Sequence, residues 1–126
     1  MNSKEKGDIV VGQAIAHYSK KNVQVLIPLG DKKPYDLVID DGVLKKVQCK
    51  YAGTKGRKNG SFRASLRITG GNQSFHTAKP YKEGDFDILF VMSADGKTYE
   101  IPSVITNKLK NSITVGGLLY QECLIT

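Results

Sequence analysis

The chain has 126 residues, 40% of them hydrophobic, with 19 Lys or Arg against 12 Asp or Glu and a net charge of +7. That length supports one packed core but not two, so residues 1–126 read as a single domain with a short C-terminal extension from about residue 111. The longest apolar run falls well short of the ~18 residues a membrane span needs, and the first residues lack the apolar core of a signal peptide.

Residues 3–21 have the pattern of a helix. Ser3 is placed to cap it and Glu5 sits in the first turn. Val11, Ala14, Ile15 and Tyr18 recur at helical spacing and form one apolar stripe, which leaves His17 on the surface. Asn22 suits the left-handed cap position, and Gly7 and Gly12 allow close packing on a sheet. Val23–Ile27 is a short strand that Pro28 ends.

Tyr35–Ile39 and Val43–Tyr51 read as a β-hairpin. A two-residue Asp41-Gly42 turn would set Asp36 opposite Val47 and send Gln48 and Lys50 to the other face. A three-residue Asp40-Asp41-Gly42 loop pairs Ile39 with Val43 and Asp36 with Lys46, with Gly42 left-handed. Asp36, Lys46, Gln48 and Lys50 then share one face, while Leu37, Ile39, Val43, Val47 and Cys49 share the other. In that register Leu44 and Val38 cover the end of the first helix.

Gly53–Gly60 is a basic loop, and Ser61–Thr69 alternates. Phe62, Ala64, Leu66 and Ile68 face inward, and Arg63, Ser65, Arg67 and Thr69 face outward. Residues 70–85 read as irregular. Phe86–Met92 is a continuous apolar run, the mark of a buried central strand. Asp95-Gly96 turns the chain into a partner strand, Lys97–Ile101, and a short helix follows to about Leu109. The apolar tail, Ile113–Thr126, contains Gly116-Gly117-Leu118-Leu119, a candidate assembly surface. This order of elements argues an α+β fold, a mixed sheet under an N-terminal helix.

Charge is segregated. Gly42 to Lys82 contains no Asp or Glu and ten Lys or Arg. Such a field suits a polyanion. Lys46, Lys55, Arg57, Lys58, Arg63 and Arg67 are the candidate DNA contacts, to phosphates or to base edges. Gly53–Gly60 also has the bland reading of a solvated hairpin loop. His17 and His76 read as packing or surface residues and Asp40 and Asp41 as turn residues. Phe62, Phe86 and Phe90 read as core. Cys49 and Cys123 match no metal-ligand spacing, so free thiols in a reducing, cytoplasmic setting are expected.

The converged hairpin face has a chemical reading. Asp36 can anchor a hard cation, Mg²⁺ or Mn²⁺, through its carboxylate, with Gln48 adding an amide oxygen and Cys49 its backbone carbonyl. Lys50 can neutralise a phosphate or orient the attacking water. Pro34-Tyr35-Asp36 and Gln48-Cys49-Lys50 resemble the PD-(D/E)xK nuclease motif, with Gln48 in place of the usual acid. Lys6-Gly7-Asp8-Ile9, Ile27-Pro28-Leu29-Gly30-Asp31 and Tyr99-Glu100-Ile101-Pro102 extend the resemblance over roughly residues 4–103. It is to the PD-(D/E)xK homing endonucleases of group I introns, particularly the cyanobacterial transfer-RNA intron type, and more distantly to archaeal Holliday-junction resolvases. The resemblance implies a restriction-endonuclease-like fold, Mg²⁺-dependent cleavage of double-stranded DNA and a homo-oligomer, dimer or tetramer. It also implies an acid on the first helix. Val11 stands at that position, with Asp8 or Glu5 as nearby substitutes. A resolvase-like nuclease and a DNA-binding protein without cleavage are the alternative functions.

Overall fold

The computed structural model describes residues 1–30, 32–68, 79–106 and 111–125. Helix α1 spans Ser3–Lys20. Its cap is Asn2 rather than Ser3. The Asn2 side chain accepts the Glu5 N–H at 2.9 Å, and the Glu5 carboxylate accepts the Asn2 N–H at 3.0 Å. This reciprocal capping box satisfies two backbone donors that an uncapped helix leaves open. At the other end Asn22 adopts the left-handed conformation expected of it, with φ 60°.

Val10, Ala14 and Tyr18 are the buried residues of α1, and Val11 and Ile15 flank them, partly buried. The stripe is thus centred on Val10, one position from the sequence reading. Gly7 and Gly12 do not serve a close approach, because a Cβ at either would meet nothing within 4 Å. His17 is not a surface residue: its ring packs 4.8 Å from Tyr18 and 5.9 Å from Phe90.

The strands are β1 Gln24–Leu26, β2 Leu37–Asp40, β3 Leu44–Ala52, β4 Thr54–Lys55, β5 Ser61–Ser65, β6 Arg67–Ile68, β7 Lys79–Pro80, β8 Ile88–Ser93, β9 Thr98–Pro102 and β10 Ser112–Gly116. A short helix α2, Ser103–Thr106, follows β9, and a 3-10 turn spans Gln121–Cys123. His76, Thr69 and the remainder of the predicted second helix lie outside the described residues.

The main sheet has the order β1-β2-β3-β8-β9. β3 and β8 pair in parallel and every other pairing in it is antiparallel. A parallel pair needs a long crossover. Here the crossover contains β4 and β5, and these pair with β10 into a second sheet, ordered β10-β5-β4. The tail is therefore tied into the fold by a strand that pairs with β5 from Ser112↔Ser65 to Gly116↔Ser61.

The two faces of the main sheet are covered differently. α1 covers one, burying Leu37, Ile39, Val47, Cys49 and Phe90 with its own Val10, Ala14 and Tyr18. The second sheet covers the other, where Ala64, Leu66, Ile113 and Val115 pack with Ala52, Leu89, Val91 and Ile101. Full burial of the Val, Leu and Ile side chains among these contributes roughly 1.5–3 kcal/mol each. The inward positions foreseen for β5, Ala64 and Leu66, are buried, and Phe86 and Phe90 belong to the core. Phe62 packs against it, partly buried.

Candidate active site

Hairpin register decides whether a site forms, and the register differs from the one expected. Leu37 pairs with Val47, Val38 with Lys46, Ile39 with Lys45 and Asp40 with Leu44. The loop still has three residues, but they are Asp41, Gly42 and Val43. Asp40 stays in the strand and its carboxylate accepts the Gly42 N–H at 2.9 Å. Gly42 takes φ 106° as the central loop residue. The pairing has moved by two positions relative to the expected one, which preserves face parity. Asp36, Lys46, Gln48 and Lys50 accordingly remain on one face.

Three details of the expected hairpin change with the loop. Val43 is not part of the core face but 63% exposed, and Leu44 is 64% exposed rather than covering α1. Val38 does not cover the helix either, because α1 lies on the opposite face of the sheet.

Asp36 sits just before β2. Its backbone N–H donates to the Val47 carbonyl at 2.8 Å, and its Oδ2 accepts the Cys49 N–H, also at 2.8 Å. The carboxylate thus continues the ladder one rung past the last backbone pair. Burial raises the Asp36 pKa, opposed by the Cys49 hydrogen bond and the Lys50 charge. Gln48 is buried, and its Nε2 donates to the Cys49 carbonyl at 3.3 Å. Burial lowers the Lys50 pKa and the Asp36 charge opposes this. The Lys50 ammonium donates to the Arg67 carbonyl at 3.5 Å and lies 5.2 Å from the centre of the Tyr81 ring.

The donor set suits a hard cation. The Gln48 Nε2 is turned to the Cys49 carbonyl, which leaves Oε1 as the coordinating end. That carbonyl keeps a second lone pair. With the Asp36 carboxylate this makes three oxygen ligands of the kind Mg²⁺ takes while retaining several waters. Among the described residues no group of three His, Cys, Asp or Glu side chains gathers to hold a metal. Asp8 stays exposed and pairs with Lys4 at 3.8 Å. Val11 packs into the helix-side core. Cys49 faces that same core, and burial pushes its thiol up.

The basic residues divide. Lys55, Arg57, Lys58 and Arg63 are exposed, and they border the β4–β5 connection. Arg63 lies between Thr54 and Thr114 across the second sheet. Lys46 is occupied elsewhere: its ammonium donates to the Gly84 carbonyl and lies 5.8 Å from the centre of the Tyr35 ring. The Arg67 guanidinium donates to the Asn111 side chain at 2.8 Å.

Tyr81 is the site residue that sequence reasoning missed. Its ring reaches the Lys50 ammonium from a distant part of the chain, and no local spacing signals that approach.

No curated protein matches the chain. A structure described as that of a bacterial homing endonuclease, I-Ssp6803I, shares 33% sequence identity with a TM-score of 0.76, covering 91% of this chain and 78% of its own. The family described as PD-(D/E)XK endonuclease matches residues 1–116. Matched by that family over residues 1–116, this chain belongs to the PD-(D/E)XK endonucleases.

Proposed function

We propose that this endonuclease cuts double-stranded DNA at a specific site in the manner of a homing enzyme, using Mg²⁺ or Mn²⁺, and works as a homo-oligomer. The observation that carries the reading is the convergence of Asp36, Gln48 and Lys50 on one face of β2–β3, on a chain whose basic loop and strand, Lys55 to Arg63, are exposed.

Each residue has a defined role. Asp36 holds its carboxylate in place through the Cys49 N–H. Gln48 and the Cys49 carbonyl complete the oxygen set. A divalent cation bound there supplies Lewis acidity and a water of lowered pKa. Lys50, half-buried, presents a positive charge to the scissile phosphate and orients the attacking water. Lys55, Arg57, Lys58 and Arg63 hold the duplex through its phosphates, which makes binding salt-dependent. A long recognition site exceeds what one small module spans, which supports more than one subunit.

Lys50→Ala tests the assignment. Mg²⁺-dependent cleavage is expected to disappear while DNA binding persists. Normal cutting by this variant would sink the assignment.

A second reading is DNA binding without cleavage. It is favoured by Gln48 standing where the motif usually has an acid and by Val11 lying in the helix-side core. Cleavage assays in Mg²⁺ and Mn²⁺, before and after Val11→Glu, distinguish the two. Cutting by the unmodified chain excludes the second reading.

A further inference from the structure

We infer that Tyr81 is a positioning residue for this reaction: its ring seats the Lys50 ammonium. The inference rests on the nuclease reading above.

Lys50 carries the charge the reaction needs, yet no ion pair with Asp36 forms among the described residues. Among the described residues two neutral groups hold the ammonium instead. One is the Arg67 carbonyl at 3.5 Å, a distance at the outer limit of a hydrogen bond. The other is the Tyr81 ring, 5.2 Å away from centroid to Nζ, within cation–π range. A neutral seat of this kind leaves the ammonium, among the described residues, without a direct salt bridge and available to a phosphate. A tight carboxylate pair would have consumed it.

The ring is itself fixed. Tyr81 meets Phe86 edge-on, with centroids 5.2 Å apart at 85°. Phe86 is 5% exposed and part of the core under the second sheet. The platform beneath Lys50 is therefore anchored to the hydrophobic interior and not to a surface loop alone.

Tyr81 thus acts on the reaction through Lys50, whose ammonium its ring holds.

The test uses two substitutions and two readouts. Tyr81→Phe keeps the ring; Tyr81→Leu removes it. Single-turnover cleavage at saturating DNA is expected to stay within about twofold for Tyr81→Phe, because the ring that holds the ammonium remains. For Tyr81→Leu it should fall by on the order of 10²-fold, as expected when a reacting group is displaced by about an ångström. DNA affinity should stay within about twofold in both. Full cleavage by Tyr81→Leu, or a defect confined to DNA affinity, overturns the inference.

The second readout needs no activity. Protons on the Lys50 ε-carbon should resonate upfield through the ring current of Tyr81, with Lys50→Ala identifying the signal. The shift should persist in Tyr81→Phe and vanish in Tyr81→Leu. Its absence from the unmodified protein overturns the inference even if Tyr81→Leu fails to fold. Absence of cleavage by the unmodified protein in Mg²⁺ and Mn²⁺ would refute the nuclease reading alone, leaving the ring-current result to be read independently; normal cutting by Lys50→Ala would refute the role of Lys50 and this inference with it.

Discussion

Gly116→Ala should destabilise the protein far more than a glycine substitution at an open turn. Gly116 ends β10 with φ +87°, in the left-handed region. A non-glycine residue there costs roughly 1–2 kcal/mol in backbone strain. A Cβ would also stand 2.4 Å from the Gly60 carbonyl oxygen, a backbone atom that no rotamer change can move. Overpacking of this kind adds about 1–3 kcal/mol, for a total of roughly 3 kcal/mol. Gly60 is the internal control. It has φ +80°, but its Cβ would find nothing nearer than the Gly117 nitrogen at 3.9 Å. Gly60→Ala should therefore show the strain alone, about 1 kcal/mol. Urea unfolding of both variants separates the two effects, read from the midpoint with an unchanged slope. If Gly116→Ala is no more destabilised than Gly60→Ala, the end of β10 does not lie against the Gly60 carbonyl.

Asp36→Asn should abolish cleavage yet raise the melting temperature at pH 7 by a few degrees. Burial lifts the Asp36 pKa above its ordinary 3.8, so the folded state holds that proton more tightly than the unfolded state. The stability this contributes is full below pH 3.8, declines as pH rises through the lifted folded value, and is gone above it. The advantage of the amide should accordingly fade in acid; thermal melts at pH 3.5 and 7 check the sign. An equal gain at both pH values would contradict it. Replacing Lys55, Arg57 and Lys58 together by Ala should flatten the dependence of DNA affinity on salt. The log–log slope should drop by about 0.9 for each phosphate that is no longer neutralised. Binding titrations at several salt concentrations measure this, and an unchanged slope would remove these residues from the interface.

Much of the fold was legible because it is periodic. The α1 stripe, the alternation along β5 and the apolar run of β8 each follow from burial on one face or two. The convergence of Asp36, Gln48 and Lys50 was also legible, since face parity survives a two-residue shift in pairing. The pairing itself was not. Asp40-Asp41-Gly42-Val43 offers more than one three-residue loop, and the choice rests on the Asp40 side chain closing onto the Gly42 N–H. His17 was misplaced because a helix pattern does not reveal that Phe90 will reach its ring. Tyr81 and β10 escaped for a related reason: their partners, Lys50 and β5, are fixed by tertiary packing across long sequence separations.

The Asp36 carboxylate has two employments. It faces the chemistry, and it also satisfies the Cys49 N–H past the end of the β2–β3 ladder. Selection on folding alone would therefore keep an oxygen acceptor at this position after cutting had ceased, whereas nothing comparable in the sheet requires the Lys50 ammonium. Among descendants of this chain, position 50 should drift first, and its identity should separate cutters from mere binders better than the acid that gives the motif its letter.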